Sequence, residues 1–165
     1  MYVRAFVFSE VTLERVMALE HPVVCEQIGH RPLFIGSSRA AVEGTTEETF
    51  SDVVTVSSYA LPLTTECIPL VDGANVEYSQ FKKAVEATRE AYQRGGKVLV
   101  QCEVGMSRSA AIIATVLAAE EAKTFEEALE EVQRYRQRAA PRQPLRECAK
   151  QYLHEETNSS GPLLA

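Results

Sequence analysis

The run QCEVGMSRS places Cys102, Gly105, Arg108 and Ser109 close together, between the apolar stretches VLV and AAIIATVLAA. Such flanks predict a buried strand, a polar loop and a buried helix. A loop entering a helix N-terminus turns its backbone N–H groups inward and adds partial positive charge, so the loop suits an anion. Gly105 lets the chain turn tightly. Arg108 brings a planar fork of donors matched to two phosphate oxygens. Cys102, at the base of this cradle, sits in positive potential, where thiols titrate far below the ordinary value of about 8.5. It is expected to be a thiolate at neutral pH, hence a nucleophile aimed at phosphorus, with the Ser109 hydroxyl able to donate to the sulfur and help it leave. In a chain of this composition, Cys, Gly, Arg and Ser or Thr at these offsets have a chance expectation on the order of 0.002.

Further short apolar runs bounded by turn residues predict strands near Leu33 to Gly36, Val53 to Val56, Cys67 to Leu70 and Val98 to Gln101. Between the last two, Phe81, Val85, Thr88 and Tyr92 recur at helical spacing before Gly95 and Gly96. After Ser109 the chain is apolar on every side, the pattern of a central helix. Thr124 and Glu127 stand at capping-box spacing ahead of Phe125, Ala128, Leu129 and Val132, which share one helical face. Pro141 and Pro144 then interrupt, and Leu145 to His154 suits a last short helix. The alternation predicts an α/β single-domain sandwich, a small and largely parallel central sheet flanked by helices on both faces. Ligands of such sheets bind at the carboxyl ends of the strands, where QCEVGMSRS falls. Residues 1–26, with a helix from Thr12 to Leu19, read as an N-terminal extension packed on the domain. Residues 27–156 form the catalytic domain and 157–165 a disordered tail.

The chain has 165 residues, 45% hydrophobic, and a formal charge of −6. That length supports one domain burying roughly 70% of its unfolded surface. The acidic balance argues against general affinity for nucleic acid or anionic membrane. No run approaches the ~18 apolar residues of a membrane span. Arg4, Glu10, Glu14 and Arg15 interrupt the N-terminus where a signal peptide is apolar, so a cytoplasmic protein is expected. Cys25, Cys67, Cys102 and Cys148 lack metal-binding spacing, so reduced thiols and no metal are expected. Cys25, Cys67 and Cys148 read as small buried hydrophobes. Cys67 could protect an oxidised Cys102 as a disulfide if their strands were neighbours.

From Gln27 to Leu153 the sequence resembles the cysteine-dependent protein tyrosine phosphatases, and most closely their compact dual-specificity branch, whose signature is His-Cys-x5-Arg-Ser/Thr. PLFIGS and RAAPRQPLRECAKQYL also match patterns common in that family. The resemblance implies that Glu103, Val104, Gly105, Met106, Ser107 and Arg108 hold the substrate phosphate, and that Cys102 and Arg108 act on it with Ser109. It further implies a general acid on an upstream loop, because an alcohol oxygen leaves poorly unless protonated. The only aspartates are Asp52 and Asp72. Asp72 follows a strand and precedes the crossover helix, as that acid does, whereas Asp52 sits at the opposite strand ends. The implied activity is hydrolysis of phosphotyrosine, with phosphoserine and phosphothreonine, through a phosphocysteine. It needs no cofactor, acts on phosphorylated protein and is expected of a monomer. Two alternatives stay open: a weak or inactive phosphate-binding module of the same fold, and a rhodanese-like sulfurtransferase.

Two residues depart from the family pattern. Gln101 stands where the family has histidine, which removes a charge beside the nucleophile and predicts a less acidic Cys102. Glu103 puts a carboxylate where phosphoinositide-directed and RNA-directed branches favour basic or aromatic residues, which turns the expectation away from polyanions. Alkylation of Cys102 by iodoacetamide, followed against pH, is expected to reach its midpoint at lower pH in Gln101→His than in the wild type; equal midpoints would refute the role given to Gln101.

Overall fold

The computed structural model describes residues 21–161; the helix expected from Thr12 to Leu19, the rest of residues 1–20 and the end of the tail lie outside the described residues. Five strands, β1 (Cys25–Gln27), β2 (Leu33–Gly36), β3 (Asp52–Thr55), β4 (Glu66–Cys67) and β5 (Val98–Gln101), form one sheet in the order β1-β2-β5-β3-β4. Only β1 runs antiparallel. β2 and β5, at the centre, are buried at every position, which is why LFI and VLV read as unbroken apolar runs rather than alternating ones. β1 carries no such run: CEQ is half-polar and pairs at an edge, so the sequence pattern did not reveal it, and the border expected between residues 26 and 27 falls inside it.

Four helices follow: α1 (Tyr78–Gln93), α2 (Arg108–Glu121), α3 (Phe125–Tyr135) and α4 (Gln143–Ser159). From Ser109 to Ala118 every residue of α2 is buried, and this helix is the axis around which the others pack. α3 begins as expected: Glu127 N donates to Thr124 Oγ1 at 3.2 Å and Thr124 N donates to Glu127 Oε2 at 2.8 Å. Pro144 does not end a helix but opens α4, lying in its first turn, where a missing N–H costs nothing. α4 also continues past His154 to Ser159, so residues 157–159 are helical and not part of a disordered tail. Tyr78 and Lys82 hold Glu155, Arg89 holds Glu156, and Thr157, Ser159 and Ser160 hydroxyls bond carbonyls one turn back.

Among the described residues, the four α-helices share one face of the sheet. Leu33, Ile35, Val54, Val98 and Val100 face one core shared with all four helices. Phe34, Val53 and Leu99 face a smaller cluster closed by the 3₁₀ turn Ser38–Ala41 and the loop carrying Leu61. Adjacent strand residues point to opposite faces, which sorts these side chains into two cores. β3 lies between β4 and β5, so Cys67 is not on a strand beside Cys102. Two strand spacings, about 10 Å, exceed disulfide reach, which excludes the protective disulfide. Cys25 and Cys67 are only half-buried, unlike Cys148, because both lie on edge strands.

Away from the strand ends, Arg31 ties three elements together: it donates to Glu121 on α2 (Nε at 2.5 Å) and to Glu131 on α3 (2.7 Å), and Lys123 pairs with both carboxylates. The Arg31 hydrogen bond, followed by that of Lys123, pulls the Glu121 carboxyl down to about 2 from 4.5. A carboxyl depressed on folding adds stability that is fully present above its unfolded value and is lost as pH falls through the folded one. Resistance to urea unfolding is therefore expected to fall between pH 4.5 and 2 in the wild type and to fall less over that window in Glu121→Gln.

Candidate active site

β2, β3 and β5 end in register, with Gly36 and Thr55 both opposite Gln101, so three loops leave the sheet on one side. The loop after β5 spans residues 102–107 and runs into α2. The carbonyls of residues 103–107 are each held by a donor outside the loop. Ser38 N and Oγ donate to Glu103 O at 3.1 and 3.3 Å. Arg136 donates to Val104 O from Nη2 (3.3 Å) and to Gly105 O from Nε (3.0 Å). Ala140 N reaches Met106 O at 2.8 Å, and Ala111 N reaches Ser107 O at 2.9 Å. A peptide group points its N–H opposite its C=O, so a loop with outward carbonyls presents inward amides. From Glu103 to Arg108 no amide donates to a protein acceptor among the described residues.

Gly105 makes this path possible. Its φ is +66°, and a Cβ there would stand 3.0 Å from the carbonyl carbon and oxygen of Gly36. Gly36 is equally constrained from the other side: a Cβ on it would stand 2.7 Å from Leu99 Cδ1. The Gly-Ser that follows the first long strand is thus explained. Gly36 lets the loop lie against β2, and Ser37 bonds Val24 N and Pro22 O, fixing the turn beneath it.

All the sequence-predicted residues of the loop converge. Cys102 is 2% exposed, and its Sγ lies 3.1 Å from Ser109 Oγ. The Arg108 side chain is 13% exposed, with Nη1 donating to Leu70 O at 3.2 Å and Nη2 lying 3.8 Å from Glu103 Oε2. Its Nε is buried and has no partner among the described residues. An unpaired buried guanidinium N–H is costly, and an anion in the amide cradle would satisfy it. Asp72 joins from the loop after Leu70: Ser107 Oγ donates to its Oδ1 at 2.6 Å, and Arg142 Nε lies 3.5 Å from Oδ2. Arg142 N donates to Ser107 Oγ at 3.0 Å, so one hydroxyl links the Asp72 loop, the Cys102 loop and the start of α4. Asp52 lies at the far strand ends, paired with Arg94 at 2.8 Å.

Gln101 is buried, and its Nε2 donates to Thr55 Oγ1 at 2.7 Å; Thr55 continues to Thr64 at 2.7 Å, which accepts from Leu61 N. Its Oε1 is buried with no partner among the described residues. The glutamine thus anchors the β3–β4 loop through neutral groups. The other thiols lie elsewhere, and burial raises each: Cys25 to about 11, with Glu48 and Glu26 adding, Cys67 by burial alone, and Cys148 with Glu147 adding. Among the described residues no group of three His, Cys, Asp or Glu side chains gathers to hold a metal. No described helix is long and apolar enough to cross a membrane.

Sequence reasoning missed Ser38, Arg136 and Arg142. Each is an ordinary polar residue in its own segment, and none carries a spacing signal. Arg136 lies just past the end of α3, a position whose side chain normally meets water.

The family model "Dual specificity phosphatase, catalytic domain" matches residues 35–153. No curated protein matches the chain by sequence. Among solved structures, a mouse protein assigned as a dual specificity phosphatase and crystallised with zinc tungstate is 26% identical, with TM-score 0.72, covering 84% of this chain and 92% of that one. Human DUSP28 is 25% identical, with TM-score 0.71, covering 82% and 99%. At 18% identity and TM-score 0.64, PTPMT1 in complex with PI(5)P shares the fold over 83% of this chain and 99% of its own.

Replacing Gly105 by alanine is expected to lower unfolding stability by ~1–2 kcal/mol for the left-handed backbone alone, with further loss from the contact on Gly36. Chemical denaturation alongside phosphate binding would read both effects, and unchanged binding would contradict the packing described.

Proposed function

Because this chain belongs to the dual-specificity phosphatases, we propose that it hydrolyses phosphotyrosine, phosphoserine and phosphothreonine monoesters of proteins through a phosphocysteine on Cys102. The observation that carries this reading is the buried, unpartnered Nε of Arg108, held beside a ring of unpaired loop amides with Cys102 at its base. Donors fixed in advance around the place where charge develops are the arrangement phosphoryl transfer needs. Family membership also sets aside the sulfurtransferase alternative.

In the first step Cys102 Sγ attacks phosphorus, the bond to the ester oxygen breaks, and the Asp72 carboxyl gives its proton to that oxygen. In the second, water attacks phosphorus and passes a proton to the Asp72 carboxylate, while the P–S bond breaks and releases inorganic phosphate. Ser109 Oγ, 3.1 Å from the sulfur, supports the departing thiolate by donating to it. Ser107 and Arg142 hold Asp72 at the cradle through both steps. Glu103 beside the mouth favours phosphoprotein over phosphoinositide, since a second phosphate would meet its carboxylate.

Hydrolysis of p-nitrophenyl phosphate without added metal is expected from the wild type and not from Cys102→Ser. Asp72→Asn is expected to lose on the order of 10² in kcat on a phosphotyrosine peptide, and much less on p-nitrophenyl phosphate, whose leaving group is stable unprotonated. Binding of phosphopeptide without turnover by the wild type would instead support a phosphate-reading module. Faster turnover of a phosphoinositide would overturn the substrate class.

A further inference from the structure

Glu103 follows the candidate nucleophile directly, and its backbone is pinned by the two bonds from Ser38. The side chain, 57% exposed, therefore stays at the mouth of the cradle. Its Oε2 faces Arg108 Nη2 at 3.8 Å, and its Oε1 lies 3.4 Å from His21 Nε2. The guanidinium of Arg108 is thus divided three ways: Nη1 on Leu70 O, Nη2 toward Glu103, Nε unpartnered. A phosphate received by Nε shares that guanidinium with a carboxylate. Like charges so close repel, and a substrate cation placed between solvent and Glu103 relieves the repulsion.

Resting on the phosphatase reading, we propose that Glu103 is a specificity-determining residue that selects phosphorylated peptides with a lysine or arginine next to the phosphorylated residue. Charge complementarity commits the site to that occupant. The same carboxylate discriminates against a neighbouring acidic or second phosphorylated residue. A competing feature lies on the other side of His21, where a groove of about 310 Å³ is lined by Val104, Met106, Arg136 and Arg138. Arg136 is committed to the carbonyls of Val104 and Gly105. Arg138 is exposed and would favour an acidic neighbour, which gives the test an opposite outcome.

The test uses two phosphotyrosine peptides that differ only in lysine or glutamate beside the phosphotyrosine, with binding followed by fluorescence anisotropy at low salt on Cys102→Ser. The lysine peptide is expected to bind roughly fivefold tighter, the scale of one partly screened ion pair. Adding Glu103→Gln is expected to bring the ratio near one, and Glu103→Lys to reverse it. Preference for the glutamate peptide, a ratio unmoved by Glu103→Gln, or failure of both peptides to bind would overturn the proposal. Turnover of p-nitrophenyl phosphate by the wild type is scored separately. A charge preference that follows Glu103 without turnover would leave this selection standing and sink the hydrolytic reading, whereas turnover without the preference would do the reverse.

Discussion

A peptide group cannot present its N–H and its C=O on the same side, and the site of this protein is built on that constraint. To aim the amides of residues 103–108 inward, the loop has to give its carbonyls partners outside, and those come from three separate parts of the chain: Ser38 after β2, Arg136 after α3, and Ala140 before α4. Sheet, helices and turns are arranged so that these donors arrive together. The path of the loop is therefore fixed by the protein's own hydrogen bonds, the preorganisation that the proposed phosphoryl transfer calls for.

The fold places its weight accordingly. α2, buried along most of its length, fixes where its own N-terminus lies, and the parallel strands β2, β5 and β3 deliver their loops to that N-terminus. Gly36 and Gly105 allow two loops to touch through backbone alone. The ion network of Arg31, Glu121, Glu131 and Lys123 locks α2 to α3 away from the strand ends, leaving the loop surface free to carry unpaired donors.

Glu103 and Gln101 show how one framework is adjusted by charge. Both flank Cys102, and each replaces or opposes positive charge: Gln101 with a neutral amide joined to Thr55, Glu103 with a carboxylate facing Arg108. Neither disturbs the loop's path, since that path depends on backbone bonds to Ser38, Arg136 and Ala140.

Much of this was legible in the residues themselves. The offsets from Cys102 to Ser109 lie within one strand–loop–helix unit, so local geometry brings those side chains together, and the capping box at Thr124 and the buried α2 follow from periodicity in the same way. Asp72 was singled out through the family resemblance, by its place between a strand and a helix. A disordered tail from residue 157 was expected and not found, and the possible pairing of Cys67 with Cys102 failed its condition, because each depends on strand order or on remote partners such as Arg89 and Tyr78. Apolar spacing determined what is buried and which short segments turn. Only the tertiary structure decided that Ser107 holds Asp72, that Arg136 holds the loop and that Glu103 meets Arg108, because those bonds join residues whose sequence separation carries no periodic signal.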